Sequence, residues 1–414
     1  MSSPFILHLR GSNFVGGPEK QLLRYAESER DGTFQICLGT FVGPGEGTEF
    51  LRAAAARGFQ ILSLPSRSIG PQSALPALVR ELRSRRVDSL CTHGYKADII
   101  GLLAGWATGV PVACFLRGWT RENARIRLYE AIDRFALPFA QRIVCLSEHQ
   151  ALRLKKWPLL ASRIRIVPNA IDLPDISVAE VARTRRYIRE LFGFPIDCPL
   201  IASAGRLSPE KGAAVFLDAS AQLLGSYPEA RFLIFGEGPL RGELESKSRR
   251  LGLGGGHLRF PGFVAKLREL LPGLDVLVNP SWSEEMPNIV LEAMAAEIPV
   301  VASAVGGVPE ISGADHAVSL IPPGDPKAIV EAVSVILRNP TAARQLAARG
   351  RARVQQVYSH SRQRAQLHAL YQELYPTPET EITPAGLPST ESDYRQVLAP
   401  KTQKSKRGFL HLRS

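Results

Sequence analysis

The sequence predicts an α/β protein of two doubly wound parallel sheets, and three observations carry that reading. Apolar runs of strand length alternate with amphipathic segments, the signature of parallel strands joined by helices. The alternation pauses once and restarts, and at 414 residues the chain exceeds what one small domain holds. The first series of runs is Phe5 to Leu9, Phe34 to Leu38, Phe59 to Leu64, Ser89 to Thr92, Val112 to Leu116, Ile143 to Leu146 and Ile164 to Val167. The second is Leu200 to Ala204, Arg231 to Phe235, Val276 to Val278, Val300 to Ala302 and Val318 to Ile321. Between them Pro168-Asn169-Ala170-Ile171-Asp172 breaks the pattern, and the polar, Arg-rich stretch 170–195, ending in Gly193-Phe194-Pro195, reads as the hinge.

Residues 1–175 are therefore expected to form a front lobe, with a helix over about 359–375 packing back on it, and residues 195–356 a second lobe. From Pro376 to Pro400 the chain turns rich in Pro, Thr and Ser, so 376–414 is expected to be a disordered basic tail. Open sheets of this kind bind ligands beyond the carboxyl ends of their strands, so two facing lobes enclose one central cleft.

Hydrophobic residues at 45% and charged residues at 22% argue for a well-packed globular chain rather than a disordered one. A net charge of +12 suits an anionic lipid surface, an acidic acceptor or nucleic acid, and equally a solvated arginine-rich surface. No recognisable nucleic-acid module accompanies it, so nucleic acid is not expected as a partner. Cys37, Cys91, Cys114, Cys145 and Cys198 are scattered without a C-x-x-C pair, which favours a reduced cytosol over a disulfide framework or a zinc site. Phe5 to Leu9 is too short for a signal-peptide core. The uncharged run Ile99 to Leu116 approaches membrane-span length, but Gly109-Val110-Pro111 divides it into a helix over roughly Ala97 to Thr108 and a strand from Val112. Between Trp119 and Arg134, Arg121, Arg125, Arg127 and Arg134 alternate with Trp119 and Tyr129. Leu128, Ile132, Phe135 and Phe139 share one helical face there, read as core, with the arginines opposite placed to meet lipid headgroups or a lipid-linked acceptor.

Three clusters carry chemistry. Gly16-Gly17 follows the first strand and precedes Pro18 at a helix start, which lets amides approach a phosphate, although a tight structural turn has the same appearance. Gly205-Arg206-Leu207 and Glu210-Lys211-Gly212 follow the strand Leu200 to Ala204; Arg206 offers a fork and Lys211 a point charge for a diphosphate, or for a structural salt bridge. Glu284 and Glu292 are eight residues apart, the first in a loop and the second inside a helix beginning near Asn288. Two carboxylates at different depths suit the hydroxyls of a sugar nucleotide, while the free amides of that helix start face its phosphates.

With these motifs in place the chain resembles the retaining glycosyltransferase family 4, of the two-lobed GT-B architecture with Rossmann-like lobes. The resemblance runs from about Phe5 to Tyr375. It rests on Gly205-Arg206-Leu207 with Lys211-Gly212, Phe235-Gly236-Glu237-Gly238-Pro239, Phe260-Pro261-Gly262, Pro280-Ser281, the Glu284/Glu292 pair and Gly306-Gly307-Val308-Pro309-Glu310. It implies a retaining hexosyltransferase that takes its sugar from a UDP- or GDP-sugar and gives it to a glycan or lipid-linked acceptor. Such enzymes build polysaccharide, lipopolysaccharide or glycolipid, here in the cytoplasm with peripheral contact to an anionic membrane. By the resemblance Arg206 and Lys211 grip the diphosphate, Glu284 holds the donor sugar, and Glu292 the ribose. Gly16, Gly17, Gly236, Phe263, Met286, Asn288, Ile289 and Val290 complete the donor site; His93, Arg117 and Asn169 are candidates to meet the sugar or acceptor, and His93, which ends a strand, reads equally as a hydrogen-bonded structural histidine. No Asp-x-Asp occurs, so neither a metal nor a cofactor is expected.

Three positions depart from the family pattern. Arg117 stands in Leu116-Arg117-Gly118-Trp119 where the family often has His, Glu285 where it has Gly, and Glu297 where Gly is also usual. The first two imply altered sugar preference or a changed loop, and also raise the alternative of a non-catalytic nucleotide-sugar sensor or partner subunit. The third is expected to matter only at the surface.

Overall fold

A computed structural model describes residues 3–12, 14–30, 32–43, 49–66, 73–116, 131–132 and 134–375. Seven parallel strands make the first sheet: β1 (Phe5–Arg10), β2 (Gln35–Val42), β3 (Gln60–Pro65), β4 (Ser89–His93), β5 (Val112–Phe115), β6 (Arg142–Cys145) and β7 (Ile164–Ile166). Their order is β3-β2-β1-β4-β5-β6-β7. The second sheet has six: β8 (Leu200–Ala204), β9 (Arg231–Phe235), β10 (Leu258–Gly262), β11 (Val276–Asn279), β12 (Val300–Ser303) and β13 (Ser319–Ile321), ordered β10-β9-β8-β11-β12-β13. The architecture is the two-lobed α/β fold the sequence predicts.

Both sheets are covered on both faces, which is why their strands read as continuous apolar runs. In the first, Leu7, Leu9, Leu90 and Ile143 pack on one side while Ile6, Leu38, Phe115 and Val144 pack on the other. In the second, Leu200, Leu233 and Leu277 face one core and Ile201, Phe232 and Val276 the opposite one. The helix His360–Leu374 returns to the first lobe, where Leu367, Leu370, Tyr371 and Leu374 join the cluster that holds Ile6 and Phe115.

Strand β10 escaped the sequence reading because Arg259 and Pro261 interrupt its apolar pattern; as an edge strand it tolerates the missing proline N–H, and its register with β9 is irregular between Arg259 and Gly262. The segment read as a polar hinge contains the helix Val178–Phe192, capped by the Ser177 hydroxyl and closed by Gly193 at φ 69°. Its Arg189 is not a solvated linker residue: fully buried, it donates to the Cys198 and Gly273 carbonyls and pairs with Asp275 at 2.7 Å. A buried guanidinium persists only when its donors are satisfied in this way.

The run Ile99 to Leu116 divides into the helix Tyr95–Thr108, a left-handed Gly109 at φ 77° and β5. Among the described residues no helix is long and apolar enough to cross a membrane. All five cysteines are buried and free. Ile132, Phe135 and Phe139 correct the expectation of a core face, since they are 42%, 74% and 81% exposed. Residues Leu137–Phe139 form a 3-10 turn rather than a continuing α-helix, which rotates Leu137 into the core and Phe139 outward. Arg117, the rest of the Trp119 to Tyr129 stretch, and the tail 376–414 lie outside the described residues.

Candidate active site

Strand order reverses at β1/β4 in the first sheet and at β8/β11 in the second. In open α/β sheets these switch points open a crevice at the strands' carboxyl ends, and the motif residues cluster there. Gly16 and Gly17 follow β1, His93 ends β4, Arg206 and Lys211 follow β8, and Glu284 follows β11.

On the second lobe Lys211 Nζ lies 2.8 and 2.9 Å from the two carboxylate oxygens of Glu284. The Ser281 hydroxyl donates to Glu284 Oε1 at 2.7 Å and stands 3.0 Å from Asn279 Oδ1. Sequence reasoning placed Lys211 and Glu284 in one cleft without seeing that they bind each other. It also assigned no role to Ser281, which donates to that carboxylate, or to Asn279, whose Oδ1 stands beside the serine hydroxyl; the signal lay in Asn279-Pro280-Ser281, at the strand end next to the glutamate loop. Gly306 completes the arrangement: at φ 56°, its missing Cβ would fall 1.5 Å from the Glu284 carbonyl oxygen, so the loop carrying Glu284 sits directly on a glycine backbone.

The helix Asn288–Ala295 starts where the sequence places it. The Asn288 and Ile289 amides carry no hydrogen bond within the described residues, as expected for the first donors of a helix, whereas the Val290 amide is turned back to the Pro287 carbonyl at 3.2 Å. Met286 and Val290 themselves are buried in the lobe's core. Glu292, one turn on, is half-buried, and burial raises its carboxyl above the usual range against the opposing pull of Arg268 and Lys20. Arg206 is exposed in the loop after β8, and Gly236 follows β9 with its amide donating to the Gly262 carbonyl at 2.8 Å. Phe263 is 66% exposed immediately beyond β10.

The first lobe corrects one expectation. The Gly16 amide donates to Glu19 Oε2 at 3.0 Å in a capping box, so it is already committed. Gly17 remains: its amide carries no hydrogen bond within the described residues, and its Cβ position lies 3.1 Å from Asn288 Nδ2 across the cleft. Asn169 is buried, and its Nδ2 donates to Asn288 Oδ1 at 2.8 Å, so it braces the helix tip as well as lining the cleft. His93 is buried too; its Nε2 is 3.0 Å from His8 Nδ1, and His8 Nε2 is 2.8 Å from the Tyr371 hydroxyl. That chain of contacts makes His93 part of the front-lobe framework.

Further contacts join the lobes around this cleft. Asp172 accepts from Arg24 at 3.1 Å, Arg268 at 2.9 Å and His360 at 2.8 Å, linking the first lobe, the second and the returning helix. Glu310 Oε2 accepts the Glu148 amide at 2.7 Å. Glu285 pairs with Arg153 of the first lobe at 3.2 Å, and burial raises its carboxyl above the usual range despite that arginine. The departure at Glu285 thus creates an interlobe ion pair. Glu297 has φ 57°, so its consequence is in the backbone rather than only at the surface.

Comparison with known proteins agrees with this geometry. The profile described as "Glycosyl transferase 4-like domain" matches residues 16–170, and that described as "Glycosyl transferases group 1" matches residues 198–339. Over 225 residues the chain is 33% identical to a 2-deoxystreptamine glucosyltransferase of Streptomyces kanamyceticus, covering 53% of this chain and 57% of that protein. Over 251 residues it is 26% identical to an Escherichia coli UDP-Gal:alpha-D-GlcNAc-diphosphoundecaprenol alpha-1,3-galactosyltransferase, covering 58% and 63%. These matches span less than two thirds of the length of either relative. Among solved structures, Anabaena HepE in complex with UDP-glucose superposes with a TM-score of 0.78 at 20% identity, over 89% of this chain and 99% of that one. With one profile on each lobe, flanking the cleft where their motif residues meet, the chain belongs to the group 1, family-4-like glycosyltransferases of GT-B fold.

Proposed function

We propose that this chain is a retaining, metal-independent glycosyltransferase that moves a sugar from a UDP- or GDP-sugar to a glycan or lipid-linked acceptor in polysaccharide, lipopolysaccharide or glycolipid synthesis. The observation that carries the reading is the placement, beside two sheet switch points, of the Lys211–Glu284 pair and of the Gly17, Asn288 and Ile289 amides, which carry no hydrogen bond within the described residues. A diphosphate seated there meets a helix tip and a lysine, with Arg206 in the adjoining loop. As the anomeric carbon–oxygen bond breaks, negative charge grows on the departing phosphate, and cations and amides already in place stabilise it. Arg206 and Lys211 thereby supply the positive charge that a metal provides elsewhere. The acceptor oxygen forms the new bond on the face the phosphate leaves, and its proton passes to the leaving phosphate oxygen, which preserves the anomeric configuration. Glu284, held by Lys211 and Ser281, orients sugar hydroxyls in this scheme, and Glu292 takes the ribose.

Two relatives support a UDP or GDP donor: the Escherichia coli relative is named for UDP-Gal, and a Mycobacterium tuberculosis mannosyltransferase, 32% identical over 192 residues, for GDP-mannose. A cytoplasmic site with peripheral membrane contact is part of the proposal, supported by the exposed Phe135 and Phe139 and by the net charge of +12.

The test is thermal stabilisation by UDP-glucose, UDP-galactose, GDP-mannose and ADP-glucose, followed by donor hydrolysis with excess chelator and assignment of the product anomer by proton NMR. At least one donor should raise the melting temperature and release an α-configured sugar. Binding without any sugar release would instead identify a sensor, and an inverted product or dependence on added divalent metal would overturn the mechanism.

A further inference from the structure

The loop between β1 and the helix Gly17–Ser28 carries a side chain that neither packing nor the donor site explains. Phe14 is 63% exposed, whereas Phe41, Phe50 and Phe115 of the same lobe are buried. Single exposed apolar residues are ordinary on a protein surface. This one stands on the carboxyl edge of the sheet at the switch point, where ligands bind. The backbone makes room for it: a Cβ at Gly16 would fall 2.7 Å from Phe14 Cε2. The Gly16 amide is spent on Glu19, so this glycine serves the aromatic ring rather than a phosphate. The same loop meets the first turn of the helix Tyr95–Thr108, since the Cβ position of Gly11 is 4.0 Å from Lys96 Cβ, and that helix start brings the part-exposed Tyr95 to the same edge.

An exposed aromatic at the edge of a polar cleft fits a ligand with one apolar face and a polar rim. A sugar or cyclitol ring has that form, with C–H bonds on one face and hydroxyls around it. The donor is held chiefly from the second lobe, and Gly17 is the point at which this loop faces Asn288. Phe14 lies before that point in the chain, on the front lobe.

We propose that Phe14 is the platform for the acceptor, its exposed face covering the C–H face of the sugar or cyclitol ring that receives the transferred glycosyl group. This rests on the glycosyltransferase reading above and adds to it a residue and the chemistry of the acceptor: a ring presented face-on rather than a phosphate or lipid end held by charge.

The experiment uses the full chain saturated with UDP and follows methyl α-D-glucopyranoside, methyl α-D-galactopyranoside and myo-inositol by saturation-transfer difference NMR. Irradiating aromatic protons should saturate the C–H protons of at least one probe. Phe14→Ala should remove that transfer and weaken the probe by about three- to tenfold, while Phe14→Trp restores it. UDP affinity, titrated separately, should be the same in all three proteins. Equal probe affinity in Phe14→Ala, or no probe binding to the UDP-loaded wild type, overturns the proposal with the donor site intact. Failure of UDP to bind the wild type overturns the donor-site reading itself and this proposal with it.

Discussion

Lys211 and Glu284 form a pair in the cleft whose structural and chemical roles can be separated. The Glu284 side chain is 7% exposed and that of Lys211 29%, with Nζ within 2.9 Å of both carboxylate oxygens. Removing one member of a fully buried pair costs about 3–5 kcal/mol, because the remaining charge is stranded. Here Lys211 admits some water and Ser281 continues to donate to Glu284, so Lys211→Met is expected to cost about 2–3 kcal/mol. Adding Glu284→Gln removes the stranded charge and should return stability to within about 1 kcal/mol of wild type, a coupling readable from urea unfolding of the four proteins. Sugar transfer should behave oppositely. Loss of a preorganised donor to the departing diphosphate costs about 10²–10³ in rate, and the double variant should recover none of it. If transfer returns together with stability, or if Lys211→Met transfers within tenfold of wild type, Lys211 is only a structural partner and the argument fails.

Two other expectations concern the scaffold. The Asp172 carboxyl is held well below the usual range, first by its hydrogen bond with His360 and further by Arg268 and Arg24, so its stabilisation is complete above the unfolded value of about 4 and is lost as pH falls through the folded one. Unfolding free energies of wild type and Asp172→Asn should therefore differ most above pH ~5 and converge in acid, and a gap that does not narrow would refute the ion-pair account. Glu297, at φ 57°, bears a left-handed cost of about 1–2 kcal/mol, against about 0.5–1 for the extra chain entropy of glycine. Glu297→Gly is accordingly expected to stabilise by about 0.5–1 kcal/mol in thermal unfolding, and a lower melting temperature would show that the side chain compensates through contacts.

What the sequence made legible follows from how each feature is encoded. Twelve of the thirteen strands among the described residues were readable, most of them because a parallel strand covered on both faces must be apolar nearly throughout, as Leu200–Ala204 and Arg231–Phe235 are. β10 was not, because an edge strand needs less burial and accepts Arg259 and Pro261. Composition misled where burial is decided by distant partners. Arg189 looks like linker charge until the Cys198 and Gly273 carbonyls and Asp275 are brought around it, and Phe139 looks like core until the chain turns 3-10. In the cleft the residue types were legible and their partners were not: no spacing announces that Lys211 binds Glu284, or that Gly16 gives its amide to Glu19.

Those unannounced partners bear on how the cleft works as a unit. The Asn288 and Ile289 amides that would receive a diphosphate belong to a helix whose first side chain is held across the cleft by Asn169, and the Cβ position of Gly17 lies 3.1 Å from the Asn288 Nδ2. Lys20, in the first turn of the helix that begins at Gly17, donates to the Ala265 carbonyl at 3.1 Å, and one turn on Arg24 shares Asp172 with Arg268 of the other lobe. These amides are thus positioned by contacts between the lobes as much as by either lobe alone. A ligand that engages Gly17 and Asn288 together favours the arrangement in which the lobes meet, and by linkage a change at Asp172 or Asn169 weakens that ligand to the extent that it depopulates this arrangement.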